Sequence, residues 1–521
     1  MTIGDYFRGV ISNPSPAAIF PTVIVILLVL FFIYYIKALR PRRGTVDWIR
    51  AEVNKPRLTF LSSRFPMEKI DIAPLFIITL LFFFLAILNL GNTNTVDIMS
   101  EIHIPAAERE HMSSLYFDEI FHVRTAAEHI AGIKPYEISH PPLGKEIIAA
   151  SILTFGMTPF GWRLFGALFG VMMLVVMYIF IKNMFGKTFV AVCGTFIFGF
   201  DFMRFVQTRL GTIDTYSVLF ILLAFFFMYR HITTDANAPF RKSLVSLAFS
   251  GIFFGLSFAV KWTGFYAGAG LLILYVIRLI LLGIHYNTTQ KNGFGIYLTK
   301  TLLFSFLFFV VIPVITYYLT YIPYGIAAGM TLSGGMLWST EYFNIVWNNQ
   351  LYMFKYHSML VAEHPYSSTW WQWILNIRPI LYVGRVADNT RATFGGFGNP
   401  VVWWGGFVAM IVMAVRVFTH RDGKALLILI GYLSQLLPWV AVTRIVFIYH
   451  YFPSSLFIIL ALAHIFNTLI EQREDSGRSV VYGYTVVAGL LFVIFYPMLS
   501  GLYLPYWYYS DLLKWFVTWP F

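Results

Sequence analysis

The sequence predicts an all-α polytopic membrane protein, and its composition and patterning carry that prediction. Of the 521 residues, 58% are hydrophobic and only 12% are charged, and the mean hydropathy is +0.70. A soluble domain is nearer one quarter charged. Apolar runs of about 20 residues, the length that crosses a bilayer as a helix, recur to the end of the chain. An estimate of soluble domains from chain length therefore does not apply.

Twelve apolar segments are predicted to span the membrane. They are residues 17–36, 72–90, 159–181, 189–204, 213–229, 244–260, 265–282, 301–321, 401–415, 425–442, 452–469 and 480–500. The first is too long for the core of a signal peptide and lacks a small-residue cleavage site, so we expect it to be retained. A further helix, lying at the membrane interface, is expected at 143–154.

Lysine and arginine are concentrated in every second connection between the predicted spans. Nine of them lie between residues 37 and 69, and the positive-inside rule places that segment in the cytoplasm. Residues 91–144 and 322–400 are then extracytoplasmic. The same bias accounts for the net charge of +12, so nucleic acid is not an expected partner. The single cysteine, Cys193, excludes an intrachain disulfide and a metal site built from several cysteines.

The chain is predicted to divide into four parts. Residues 1–70 form an N-terminal transmembrane helix and a basic loop, and residues 71–321 form a transmembrane core whose first outer loop is 91–158. A long outer loop follows at 322–400, and residues 401–521 form a four-helix membrane segment. No internal repeat is visible, which argues against a transporter, the main alternative from another class of function.

Ionisable residues are densest between residues 116 and 145, where chemistry is expected. Asp118 and Glu119 are adjacent, and His122 shares the helical face of Asp118 if the stretch is helical. A carboxylate in a partly apolar cleft acts as a general base when its pKa is raised toward the working pH. The alternative is an ordinary solvated loop, which the local sequence alone favours.

The segment His140-Pro141-Pro142-Leu143-Gly144-Lys145 is more informative. Two prolines fix an extended entry into the next helix. Lys145 then lies near a helix start, where the helix dipole does not favour a cation. An anionic partner would explain it, and a lysine reaching toward the interface is the alternative.

Charged residues also occur at the predicted outer ends of the spans, against the positive-inside trend. They are Arg163, Asp201, Arg204, Arg209, Asp214, Lys261 and Arg444. Cations beside carboxylates at one face indicate an anionic headgroup such as a lipid phosphate, although each could simply reach toward the interface. The histidines at 103, 111, 122, 129 and 140 lack a tight ligand spacing, so no metal is required, although carboxylates could hold a divalent cation.

Seven pieces of the sequence resemble the protein O-mannosyltransferase family of GT-C glycosyltransferases. They are FDEIFHVRTAAEHI (117–130), SHPPLGKEIIA (139–149), FGWRLFGALFG (160–170), RLGTIDTY (209–216), GLSFAVKWTGFYAG (255–268), HPYSSTWWQW (364–373) and LLPWVAVTRIVFIYHYFPS (436–454). They occur in family order within residues 115–505. The outer loop 322–400 is too short for the MIR domain of the eukaryotic enzymes, so the resemblance is to the prokaryotic type.

The resemblance implies a GT-C fold and a multi-pass enzyme of the cell membrane with its active site on the extracytoplasmic face. It implies inverting transfer of mannose from a polyprenyl (dolichyl-type) phosphate to Ser/Thr hydroxyls of exported proteins, with no required cofactor. A cell-envelope glycolipid or glycan is the alternative acceptor.

The resemblance also assigns residues. Asp118 matches the proposed general base and Glu119 its companion, and Arg163 matches an arginine assigned to the lipid phosphate. Arg209 and Lys261 are weaker candidates for the phosphate. The residues expected to position the acceptor or the loop are His122, His140, Lys145 and Asp214. The sequence departs from the family in its extra N-terminal span and in Ile138, where many eukaryotic members have Asp.

Overall fold

The computed structural model describes residues 16–39, 65–91, 115, 117–290, 292–387 and 389–521. Most of the predicted basic loop, and the outer loop up to residue 114, lie outside these residues. Within the described ranges, eleven helices are long and apolar enough to cross a membrane. The chain is therefore a multi-pass membrane protein, as the sequence predicts.

The helices are numbered here in the order in which they occur along the chain. In order they are α1 (Pro16–Leu39), α2 (Ile72–Ile87), α3 (Glu119–Ala131), α4 (Leu143–Phe155), α5 (Pro159–Phe185), α6 (Thr188–Gly199), α7 (Phe202–Gln207), α8 (Asp214–Ile232), α9 (Phe240–Val260), α10 (Phe265–Thr288), α11 (Phe294–Phe306), α12 (Ile312–Leu319), α13 (Ile322–Ala327), α14 (Thr340–Met359), α15 (Trp370–Ile374), α16 (Pro400–His420), α17 (Gly423–Leu436), α18 (Phe452–Gln472) and α19 (Glu474–Ser500). A π-helical turn at Leu307–Val311 joins α11 to α12, so that α11, α12 and α13 form one long span.

One predicted span is shorter than the sequence indicated. The apolar run at 189–204 forms only the twelve-residue α6, followed by the short α7. The break occurs because Asp201 has an extended backbone and caps α7, accepting a hydrogen bond from the backbone N–H of Arg204 at 3.2 Å. An N-terminal cap of this kind starts a new helix instead of continuing the old one.

A small β-sheet is present that the sequence did not predict. Strands β1 (Ile380–Ala387) and β2 (Thr390–Gly396) form an antiparallel hairpin, and β3 (Leu504–Pro505) pairs with β2. The sheet thus joins the segment 328–399 to the C-terminal residues. It also brings Tyr382 from β1 against Phe117, the residue before Asp118, with 5.2 Å between the ring centroids.

Helix α18 is the centre of the C-terminal half. It packs against α16, α17, α19 and α6, and its span is 94% buried inside the protein. Close approach depends on glycine, since a Cβ on Gly431 of α17 would lie 2.0 Å from the ring of Phe457. The extra N-terminal helix α1 also packs here, where Phe31 contacts Tyr484 with ring centroids 4.7 Å apart. The proposed four-part division of the chain stays a prediction.

Candidate active site

Asp118 stands at the N-cap position of α3, where the chain turns into the helix. Phe117, just before it, has a left-handed backbone with φ of 48°, which for a non-glycine residue costs about 1–3 kcal/mol. The ring of Phe117 packs against Tyr382 and Tyr449. The Tyr449 hydroxyl donates a hydrogen bond to Oδ2 of Asp118 over 3.4 Å. The packing thus holds a strained turn that directs the Asp118 carboxylate toward Tyr449.

The surroundings of Asp118 favour its protonated form more than water does. Burial, together with the negative charge of Asp214, raises the pKa of Asp118 to about 7. The Lys261 ammonium and the Tyr449 hydroxyl act in the opposite direction without cancelling the rise. A carboxylate with such a pKa is partly ionised near neutrality and is a stronger base than an ordinary aspartate.

Lys261 and Asp214 form a mostly buried ion pair beside Asp118. Lys261 lies at the break between α9 and α10, where its extended backbone ends α9, and Asp214 is the first residue of α8. The Lys261 Nζ atom lies 2.7 Å from Oδ1 of Asp214 and 5.4 Å from the centre of the Tyr449 ring. Tyr449 therefore contacts both the candidate base and the candidate phosphate-binding ammonium.

Lys261 faces a cavity of about 440 Å³. His140, Trp262, His357 and Arg444 also line it. Two basic side chains, Lys261 and Arg444, therefore face one cavity whose volume is in the range of small-molecule sites. Burial lowers the pKa values of His140 and His357, so both imidazoles are neutral near pH 7. The positive charge of this cavity comes from Lys261 and Arg444.

Glu119 has surroundings unlike those of its neighbour. It is fully buried, and each of its carboxylate oxygens accepts a hydrogen bond of 2.8 Å from the guanidinium of Arg163. Its Oε1 also accepts from the backbone N–H of Gly211 at 2.6 Å, and Arg163 donates to the carbonyl oxygen of Leu90 at 3.0 Å. This ion pair joins α3 to α5, to the segment before α8 and to the residues that follow α2.

A second buried carboxylate, Glu137, organises the loop between α3 and α4. Its Oε2 lies 2.6 Å from Nζ of Lys145, and Oε1 lies 3.5 Å from Nδ1 of His140. Although burial alone would raise it, the Lys145 charge and the His140 contact hold the pKa of Glu137 well below its usual range. Lys145, fully buried, also donates to the carbonyl oxygens of Glu137 and His140. These contacts are consistent with a role of Lys145 in positioning the loop.

His122 lies beside this loop, with Nδ1 at 3.8 Å from Oε2 of Glu137. Burial lowers the pKa of His122 well below its usual value, so the ring is a weak base. The directions of the two pKa shifts favour Asp118 over His122 as the group that accepts a proton, because a general base works best with a pKa near the operating pH.

Arg163 and Arg209 lie at a different place from Lys261. They line a void of only about 10 Å³, which has room for about one water molecule. Arg209 donates hydrogen bonds to the carbonyl oxygens of Leu88, at 2.5 Å, and Leu499, at 3.5 Å. The assignment of Arg163 and Arg209 to the donor phosphate stays a prediction, and these contacts favour Lys261 for that role.

The sequence analysis gave no role to several residues of the site. Tyr449 lies in the matching piece 436–454, beside Arg444, which the sequence marked only as one of several charges at the predicted outer ends of the spans. Glu137 lies directly before Ile138, and no motif assigns it a role. His357 lies in α14, where no motif marks it, and only the fold brings it to the cavity.

No group of three or more His, Cys, Asp and Glu side chains in the described parts of the chain is arranged to hold a metal ion. His103 and His111 lie outside those parts. Within the described parts, His129 pairs with a carboxylate instead, since its Nδ1 lies 2.5 Å from Oε1 of Glu146.

Two family models match consecutive parts of the chain. Residues 76–324 match dolichyl-phosphate-mannose-protein mannosyltransferase, and residues 342–519 match the C-terminal four-helix transmembrane region of protein O-mannosyltransferase. Together they cover most of the chain, in the order that the seven motifs predicted.

Curated relatives and a solved structure agree with these matches. The chain is 23% identical to the polyprenol-phosphate-mannose–protein mannosyltransferase of Mycobacterium tuberculosis over 70% of this chain and 78% of that one. It is 24% identical to the Corynebacterium glutamicum protein of the same name over 73% and 81%. The Saccharomyces cerevisiae protein O-mannosyltransferase Pmt1–Pmt2 complex bound to the sugar donor has a similar fold, with a TM-score of 0.73 and 14% identity over 89% of this chain and 94% of that chain.

The similar fold confirms the predicted GT-C architecture, and the family models confirm the resemblance. The chain therefore belongs to the protein O-mannosyltransferase family.

Proposed function

We propose that this protein transfers a mannosyl group from a polyprenyl-phosphate (dolichyl-type) donor to Ser/Thr hydroxyls of exported polypeptides. The observation that carries the proposal is the pairing, through Tyr449, of a carboxylate with a pKa of about 7 and an ammonium that faces a cavity. Such a pair supplies a base for an acceptor hydroxyl and a cation for a leaving phosphate. Family membership supplies the substrate class, because the relatives are named as mannosyltransferases acting on proteins.

In the proposed reaction the acceptor hydroxyl oxygen attacks C1 of the mannose while Asp118 takes the hydroxyl proton. The bond between C1 and the phosphate oxygen breaks, and the polyprenyl monophosphate leaves with its electron pair. A single displacement of this kind inverts the configuration at C1. No nucleotide is needed, because the phosphate already activates the sugar.

Lys261 is proposed to hold the phosphate during this step. In the structure its ammonium pairs with Asp214, and the growing negative charge on the phosphate would compete with that carboxylate. Arg444, on the same cavity, is a second cation for the phosphate. A charge aimed at the place where negative charge develops stabilises the transition state.

The loop between α3 and α4 is proposed to position the acceptor. His140 lines the cavity, and Glu137 and Lys145 hold the loop beside it. Lys145 then acts on the acceptor only through the loop. The concentration of lysine and arginine in the connections on the other side of the predicted spans also supports an active site on the extracytoplasmic face of the cell membrane.

The test is transfer by the full chain reconstituted in lipid vesicles. Radiolabelled polyprenyl-phosphate-mannose and a peptide containing threonine are added, and the labelled product is identified by mass spectrometry and by release of the sugar in alkali. Label attached to the threonine hydroxyl, absent with Asp118→Asn, supports the proposal. Label that appears only in a lipid or glycan product would contradict the protein acceptor.

A further inference from the structure

Helix α14 exposes two different faces, which its neighbours leave uncovered. Its first face is apolar and consists of Phe343, Trp347, Leu351 and Phe354, at positions i, i+4, i+8 and i+11. These side chains are 53% to 67% exposed. The spacing places them within about a quarter of the helix circumference, since each residue turns the helix by about 100°. They form one stripe along the helix, which we call the apolar stripe.

The second exposed face is polar and lies next to the apolar stripe. It contains Glu341, Asn344, Asn348 and Lys355, all of them exposed. The remaining face is packed against the protein through Tyr342, Val346, Asn349 and Met353. The helix therefore has three environments around its circumference, one of protein, one polar and one apolar.

Helix α14 is not among the described helices that are long and apolar enough to cross a membrane, and it contacts two of the spans. Near its start, the Tyr342 hydroxyl donates to the carbonyl oxygen of Tyr318, at the end of α12, over 2.8 Å. Near its end, the ring of His357 lies 6.2 Å from that of Trp262, just before α10. A helix of 20 residues is about 30 Å long, so α14 follows one surface of the membrane domain over most of its length.

The chain reaches α14 from a span whose apolar side chains are largely exposed, as in a span that faces lipid. The span that leads to α14 is only 11% buried inside the protein, and its side chains Phe306, Val310 and Val314 are exposed. Helices with adjacent apolar and polar exposed faces lie in the interface of a bilayer, with aromatic residues at the headgroup level.

We propose that α14 lies in the lipid headgroup region on the side of the candidate active site, with its apolar stripe inserted among the lipids. The surface partner of this helix is therefore the bilayer. This inference goes beyond the transfer reaction and does not depend on it.

The packed face of α14 connects this lipid contact to the site. Nδ2 of Asn349 donates to the carbonyl oxygen of Ile138 at 3.0 Å, and Nε2 of His357 lies 2.8 Å from that of Ser139. Both acceptors belong to the loop that carries Glu137 and His140. If lipid holds the apolar stripe of α14, the packed face of the same helix would keep this loop in place.

The test uses spin labels on the full chain in vesicles of phosphatidylethanolamine and phosphatidylglycerol. Cys193 is replaced by alanine, and single cysteines are introduced as Phe343→Cys, Trp347→Cys and Phe354→Cys. The matched controls are Asn344→Cys and Asn348→Cys on the polar face. Because all five side chains are exposed, their replacement leaves the packed face intact.

Collision of each label is measured with oxygen, which concentrates in lipid, and with a nickel chelate, which stays in water. We expect oxygen to dominate at the three apolar positions and the nickel chelate to dominate at the two controls. Strong collision with the nickel chelate at all five positions would overturn the proposal. Weak collision with both reagents at the apolar positions would also overturn it, because protein, such as a second copy of the chain, would then cover the stripe.

Discussion

Asp118 and Glu119 are neighbours in the chain, yet the fold gives them opposite surroundings. Glu119 is fully buried and accepts two hydrogen bonds from Arg163 and one from the backbone of Gly211. Asp118 is partly buried, accepts one long hydrogen bond from Tyr449 and has a pKa of about 7. Successive residues at a helix start point about 100° apart, so one side chain enters the core while the other faces the site.

The comparison separates a group that holds the fold from a group that can do chemistry. A carboxylate fixed by three short contacts has little freedom to receive a proton from a substrate. A carboxylate whose ionised form is poorly stabilised is ready to accept one. We infer that Glu119 is a positioning residue and that Asp118 is the base.

The largest expected effect comes from replacing the base. Asp118→Asn keeps the size of the side chain but removes the proton acceptor, so single-turnover transfer should fall about 100- to 10,000-fold. Donor binding, measured by quenching or filtration with the protein in vesicles, should change little. Near-normal transfer by this variant, with loss in His122→Ala, would move the base to His122.

The second effect concerns Glu119 and should appear in stability. Glu119→Gln leaves the buried Arg163 guanidinium without its carboxylate, and breaking a buried ion pair costs about 3–5 kcal/mol. Thermal inactivation of the protein in vesicles should therefore occur at a lower temperature, with transfer by the surviving enzyme reduced less than in Asp118→Asn.

Arg163 provides the matched test of the same pair. Arg163→Met should lower thermal stability as Glu119→Gln does, and the double variant should lose less than the sum of the two, because the partners are coupled. If Arg163→Met instead keeps normal stability and raises only the donor KM, Arg163 binds the phosphate as the family resemblance implies.

The third and smallest effect concerns Lys261. Lys261→Met should weaken donor use by about 1.5–3 kcal/mol, the worth of a hydrogen bond to a charged group, measured as kcat/KM for the polyprenyl-phosphate donor. The control is Lys300→Met, an exposed lysine in α11, which should behave as the wild type. Equal kinetics for Lys261→Met and the wild type would remove Lys261 from the phosphate site.

The helices and the candidate base were predictable, because apolar runs and a sequence motif are local signals. The pairing of Asp118 with Tyr449 was not, since the two residues are 331 positions apart and only the fold brings them together. The contacts of Arg163 could not be predicted from the sequence for the same reason. Its charge at a helix end fits a phosphate site and a buried ion pair equally well, and only the fold brings Arg163 to Glu119. The β-hairpin gave no clear signal because its strands contain three glycines, a residue that is depleted in strands.

The pH dependence of single-turnover transfer at saturating donor tests the central claim most directly. Protonated Asp118 cannot accept the hydroxyl proton, so the rate should rise about tenfold per pH unit below pH 7 and level off above the pKa of about 7. Glu119→Gln should show the same dependence of rate on pH, although less of the variant stays folded. Asp118→Asn should transfer slowly at every pH, with no rise through this range. A wild-type rate that does not change through this range, or the same rising profile in Asp118→Asn, would contradict the assignment of Asp118 as the base.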